Sequence, residues 1–191
     1  RAEVAALNAQ LAARLADAED ALDGARAQLA AGEGLTLRYA YDALVGQLTA
    51  RTVDRRYRAL VWGHPDSPRG LIDAPIGRSP RHPTRMAVVA SGKEARTRYE
   101  VERTFTTPTE TALVRCRLET GRTHQIRVHL AAIGHRVVGD DRYQGVRESI
   151  DLHRPFLHAE HLGFDHPTTG ERVSFDAPLP PDLQTVLDTL S

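Results

Sequence analysis

Thr120-Gly121-Arg122-Thr123-His124-Gln125-Ile126-Arg127-Val128-His129 reads as the end of a strand turning abruptly into a helix. Residues 111–119 just before it alternate, with Ala112, Val114, Cys116 and Leu118 on one face and Arg115 and Arg117 on the other. Gly121 suits the turn, and Thr120 or Thr123 can cap the first free N–H groups of the helix. Beyond it, Ile126, Leu130 and Ile133 recur at i, i+4 and i+7, and Gly134 suits a helix end. His124 and Arg127, three residues apart, should then project together from the first turn. A helix start carrying a planar cation favours an anion, a carboxylate or a phosphate.

Outward from this stretch, short alternating runs separated by Gly and Pro dominate. Residues 55–63 predict a strand with Tyr57, Ala59 and Val61 on one face, broken by His64-Pro65 and Ser67-Pro68. Residues 70–76, 85–90 and 95–105 follow as further strands. After the helix expected at 123–133 come a short strand at 136–139 and strands at 156–164 and 171–175. A helix at 39–50 with Leu44, Val45 and Leu48 inward, and a final helix striped by Leu183, Val186, Leu187 and Leu190, flank the sheet. The class expected is α+β, with a mostly antiparallel sheet. An Ala-rich heptad segment precedes it, with Val4, Leu11, Ala18 and Ala25 at one seam position and Asn8, Leu15, Leu22 and Leu29 at the other. Gly32 and Gly34 close that segment, dividing the chain into a helical arm at 1–34 and a domain at 35–191. The arm reads either as a segment for self-association or partner docking, or as an appended helix lying on the domain.

A chain of 191 residues with 41% hydrophobic and 26% charged side chains is long enough for one domain with a real core. Its zero net charge argues against a protein that coats nucleic acid indiscriminately. The distribution is uneven: residues 51–98 hold eleven basic and four acidic side chains. That stretch suits phosphate contacts, and it would equally serve to solvate exposed strand faces. Of the 25 basic residues only Lys93 is not arginine, which favours forked contacts to phosphate. The lone Cys116 permits no internal disulfide and fits a reducing, cytoplasmic setting. No apolar run approaches a membrane span, and no signal-peptide pattern opens the sequence, which begins at Arg1 and reads as an excerpt. His124 and His129 are five apart, on different helix faces, without Cys or an HExxH pattern, so no metal site is expected.

The segment TGRTHQIRVHLAAIGHRVVGDDRY resembles the signature of the RluA family of RNA pseudouridine synthases. The resemblance continues upstream through RRYRALVWGHP, GLIDAPIGR, RMAVV and SGKEARTRYEV, and downstream through LHAEHLGFDHPTTGERVSFDAPLPPDL, in order and spacing. It covers roughly residues 41–190. It implies a pseudouridine-synthase-type sheet, and isomerisation of uridine to pseudouridine in ribosomal or transfer RNA without metal or organic cofactor. Tyr57 would stack on the target base, and Arg127 would pair with the catalytic aspartate. Arg56, Arg85, Arg122, His124 and Gln125 would contact the RNA. Gly139-Asp140-Asp141-Arg142-Tyr143 matches a family turn with a structural role. The resemblance also implies an aspartate nucleophile in a block like His-Arg-Leu-Asp followed by Thr-Ser-Gly, upstream of Tyr57. No such block occurs in this sequence, and Asp42 and Asp54 are the nearest carboxylates. Three readings stay open: the carboxy-terminal part of a longer or rearranged enzyme, a catalytically silent RNA-binding module, or part of a split enzyme.

Overall fold

The computed structural model describes residues 34–191; the heptad segment at 1–33 lies outside the described residues. The described chain is α+β, and its strands pair antiparallel throughout. Helix α1 (Gly34–Ala50) leads into β1 (Asp54–Trp62), β2 (Arg69–Asp73) and the small hairpin β3 (Ile76–Arg78) and β4 (Met86–Val88). β5 (Arg96–Phe105) and β6 (Thr111–Leu118) then run into α2 (Gln125–Ala132). β7 (Leu157–Asp165), β8 (Arg172–Asp176) and α3 (Pro181–Asp188) complete the order. Six strands form one sheet in the order β2-β5-β6-β1-β7-β8, and β3-β4 stands apart as a two-stranded unit.

Alternation places the core where expected. Tyr57, Ala59 and Val61 of β1 lie opposite Cys116, Val114 and Ala112 of β6, and all but Tyr57 are completely buried. The first half of β6 is buried on both faces, because Thr111 and Leu113 are covered as well as Ala112 and Val114. Trp62, Phe105 and Phe156 are the largest fully buried side chains. Leu183, Val186 and Leu187 bring α3 onto the same core, each contributing about 1.5–3 kcal/mol by leaving water. Ile126 and Leu130 do the same for α2, whereas Ile133, read as the third residue of that stripe, is 38% exposed beyond the helix end. Gly134, with φ +89°, takes the left-handed turn that ends the helix.

Several expected bounds shift. The strand expected at 70–76 is broken at Ala74-Pro75, so that β2 and β3 belong to different sheets. Residues 136–139 contribute only an isolated bridge between Val61 and Val137. α1 starts at Gly34, so the residue expected to close the arm is helical instead. Val45 and Leu48, expected inward, are 40% and 45% exposed, because α1 touches the sheet chiefly through its end. There the Gln47 amide donates to the Asp165 carbonyl and accepts from the Asp165 N–H, both at 2.7 Å. No described helix is long and apolar enough to cross a membrane.

Candidate functional site

The link from β6 to α2 is built around Gln125. Its carbonyl oxygen accepts from the Thr120 hydroxyl at 2.7 Å and from the Arg122 N–H at 3.0 Å. Its amide nitrogen donates to the Arg96 carbonyl at 2.8 Å and to Thr97 Oγ1 at 3.0 Å. Neither Thr120 nor Thr123 caps the helix; the N-cap position is His124, left-handed at φ 57° and without a side-chain cap. Gln125, expected among the RNA contacts, therefore points into the protein and is only 3% exposed. Its four bonds lock the turn to β5. One turn on, His129 is fully buried, with Nδ1 against Thr97 Oγ1 and Nε2 against the Ala74 carbonyl, each at 2.9 Å.

The left-handed residue turns the His124 ring towards Tyr143, whose hydroxyl lies 2.9 Å from Nδ1 with the rings edge to face. Arg127 lies over the same Tyr143 ring, 4.9 Å from its centre. His124 and Arg127 thus converge, as their spacing predicts. Desolvation first, and then the nearby Arg127 and Arg142 charges, hold the His124 pKa below the ordinary histidine value. Arg127 grips Asp140 by two bonds, Nε to Oδ2 and Nη2 to Oδ1, both 2.6 Å. That pairing raises the already high Arg127 pKa and fixes the plane of its fork. The carboxylate that Arg127 holds is therefore Asp140, from the turn read as structural. Asp140 is completely buried and also accepts from the Tyr143 N–H.

The other predicted residues are dispersed. Arg56 lies on the opposite face of the sheet from Tyr57, in register with Arg117 and His161, and bonds Asp54 through Nε at 3.0 Å and Nη2 at 2.5 Å. The Arg56 bond, ahead of the opposing cost of burial, holds the Asp54 carboxyl below its usual range. Arg58 and Arg115 share Glu102 and Glu160 on the same face, making a lattice in which positive charge is already answered. On that face Arg56 and Arg58 of the basic stretch neither solvate the strand freely nor stay open to an outside anion, because carboxylates already answer them. Asp42 is exposed on α1, so neither it nor Asp54 stands beside Arg127. Tyr57 is half-buried at the rim of the core, on the same face as Arg55. The Arg55 guanidinium reaches Gly121, where any Cβ would fall 2.6 Å from Nη1. Glycine at 121 gives the flexible end of Arg55 room beside the turn.

Around the β3–β4 hairpin the charge balance reverses. Arg85, Arg127 and Arg142 line an open groove of about 550 Å3 with Asp141, Thr84 and Pro155. Among the described residues Arg85 and Arg142 have no carboxylate partner; Arg142 bonds only the Thr84 carbonyl, at 2.7 Å. Arg122 likewise bonds a carbonyl, that of Glu94, at 2.9 Å. Arg85 and Arg122 therefore keep charge available for an outside anion, and Arg56 does not. Asp140 and Arg142 belong to this site although the sequence reading gives their run, Gly139 to Tyr143, only a structural role. Among the described residues no cluster of His, Cys, Asp or Glu is arranged to hold a metal ion.

Comparison with known proteins agrees with this arrangement. The RNA pseudouridylate synthase family profile matches residues 38–132. Uncharacterized RNA pseudouridine synthase YlyB of Bacillus subtilis is 48% identical over 151 residues, covering 79% of this chain and 48% of that protein. Ribosomal large subunit pseudouridine synthase D of Zymomonas mobilis is 43% identical over 160 residues, covering 79% and 49% respectively. The solved structure of Human RNA Pseudouridylate Synthase Domain Containing 1 superposes with a TM-score of 0.65 at 31% identity, over 78% of this chain and 64% of that one. The chain spans about half the length of the curated relatives it matches. It belongs to the RNA pseudouridylate synthase family.

Proposed function

We propose that the chain serves the isomerisation of uridine to pseudouridine in ribosomal or transfer RNA, with RNA as its partner and no metal or organic cofactor. The observation that carries this reading is that Arg85 and Arg142, which have no carboxylate partner among the described residues, line one groove with Arg127, itself held by Asp140. Arg85 and Arg142 supply charge for the RNA backbone, Arg122 adds charge at the turn before α2, and His124, against Tyr143, offers an imidazole edge. Tyr57 presents an aromatic face for a base taken out of the stack. In the reaction the base is released from the ribose, turned and rejoined through C5, with loss of the C5 hydrogen.

A second reading is favoured by the carboxylates. Asp54 is engaged on the far face, Asp42 is on α1, and Arg127 is occupied by Asp140. On this reading the chain is the RNA-holding part of a longer or split synthase whose nucleophile comes from elsewhere. The division into an arm at 1–34 and a domain at 35–191 belongs to the same proposal, with the arm as a self-association or docking segment. α1, which follows the arm in the chain, exposes Tyr39, Tyr41, Val45 and Leu48. A cytoplasmic location goes with it. Release of tritium from RNA labelled at uridine C5, using RNA from synthase-deficient cells, tests the first reading. Release abolished by Tyr57→Phe supports catalysis by this chain. No release with salt-sensitive RNA binding retained supports the second reading and overturns the first.

A further inference from the structure

We propose that the groove between the β3–β4 hairpin and the turn at residues 121–123 binds backbone phosphate of the substrate RNA, outside the nucleotide being modified. The proposal rests on the RNA reading above and adds a site to it. The groove holds about 460 Å3 and lies against Ile76, Gly77 and Arg78 of β3 on one side and Gly121, Arg122 and Thr123 on the other. Three cations line it, Arg78, Lys93 and Arg122, and among the described residues none of them has an ion-pair partner. Nearby Glu94 is taken by Arg51 at 2.8 Å and by Arg96 at 3.3 Å.

The wall at Gly92 is bare backbone. A Cβ on Gly92 would fall 2.5 Å from the Ile76 carbonyl carbon, so a side chain there would collide with β3. Lys93 is pinned to the same strand by paired backbone bonds to Ile76, each 2.9 Å, while its side chain stays exposed. The exposed residues Ser91 and Thr123 add hydroxyl donors along the rim. Cations without carboxylates, hydroxyl donors and bare backbone suit phosphodiester oxygens, while Ile76 and Met86 form the apolar part of the wall. Arg85, just before β4, lines the other groove with Arg142, so both grooves border the hairpin and each carries cations without carboxylate partners. The far sheet face differs: there Arg98 bonds Glu119 at 2.5 Å, and Arg56 bonds Asp54.

The test is fluorescence anisotropy of a labelled uridine-containing RNA stem–loop with the full chain over a salt series. The double variant Arg78→Gln with Lys93→Gln is compared with Arg69→Gln with Arg98→Gln from the far face. Each phosphate contact contributes about 0.7–0.9 to the slope of log affinity against log salt, so the groove variant should lose between about 1.4 and 1.8 units. The far-face variant should keep the wild-type slope. Thermal unfolding of both variants checks that these exposed substitutions leave the fold intact. An unchanged slope in the groove variant, with wild-type binding present, overturns the proposal and leaves the RNA reading standing. Equal losses in both variants also overturn it, since they would show only general charge. If the wild-type chain binds no RNA even at low salt, the RNA reading itself fails and takes this site with it.

Discussion

Arg127 holds Asp140 across thirteen residues of chain by two bonds of 2.6 Å, with the carboxylate fully buried and the guanidinium side chain 15% exposed. The pair joins α2 to the Gly139–Tyr143 turn, and the Tyr143 ring beneath Arg127 closes the unit. Removing the cation strands a buried charge, and breaking such a pair from one side costs about 3–5 kcal/mol. Arg127→Ala should therefore lower the urea midpoint sharply, while Arg127→Lys, which keeps charge without the fork, should cost less. An Arg127→Ala protein with wild-type stability would contradict the structural share of this pair. Loss of RNA activity in that variant has meaning only beside the unfolding curve.

Gln125 supports a second prediction. Its nitrogen donates to the Arg96 carbonyl and its oxygen accepts from the Arg122 N–H, so the two ends of the amide are not interchangeable. Gln125→Glu would set a carboxylate oxygen against the Arg96 carbonyl at a site that is 3% exposed. A loss of about 1–3 kcal/mol is expected, with faster hydrogen exchange at Arg122, as the turn loosens. Unaltered exchange there would show that Gln125 does not organise the turn.

Much of this is legible in the sequence, and the reasons differ from residue to residue. The alternation in residues 111–118 marks β6 as a strand, although its first half is buried on both faces and only its second half shows a period of two. The convergence of His124 and Arg127 followed from helical spacing, with the left-handed His124 supplying the turn that the threonines were expected to cap. What sequence could not reveal was pairing across space. Arg56 and Arg85 look alike in a basic stretch, yet Asp54 lies two residues away on the same strand face and answers one of them, while no described carboxylate answers the other. Asp54 at i−2 of Arg56 was a usable signal, because alternate strand residues share a face. Gln125 resembled a polar helix start until its four inward bonds were visible.

Cys116 is completely buried, and desolvation pushes its thiol up to about 12. Native protein should resist an aromatic disulfide reagent at mildly alkaline pH, and react fully once urea unfolds it. The slow native rate then reports opening of the β1–β5–β6 core. Fast native reaction would mean that the centre of the sheet is more open than its packing indicates.

His129 gives the pH dependence. Burial is the first cause that lowers its pKa, outweighing the Ala74 carbonyl that favours the charged form. The folded chain therefore takes up this proton at lower pH than the unfolded chain does, and stability is complete above the ordinary histidine pKa of about 6.5. As pH falls below that value the unfolded state gains protons first, and stability declines towards the depressed folded pKa. His124, lowered by its own desolvation and two arginines, acts in the same direction. The combined slope cannot exceed about 1.4 kcal/mol per pH unit for each proton. His129→Gln keeps a donor for the Ala74 carbonyl and an acceptor for the Thr97 hydroxyl but cannot titrate. Its urea midpoint should be lower than that of the wild type at neutral pH, through imperfect packing, and should fall less steeply on acidification. Parallel pH profiles for the two proteins would assign the acid sensitivity to other groups, with Asp182, held below its usual range by Arg154, the next to replace.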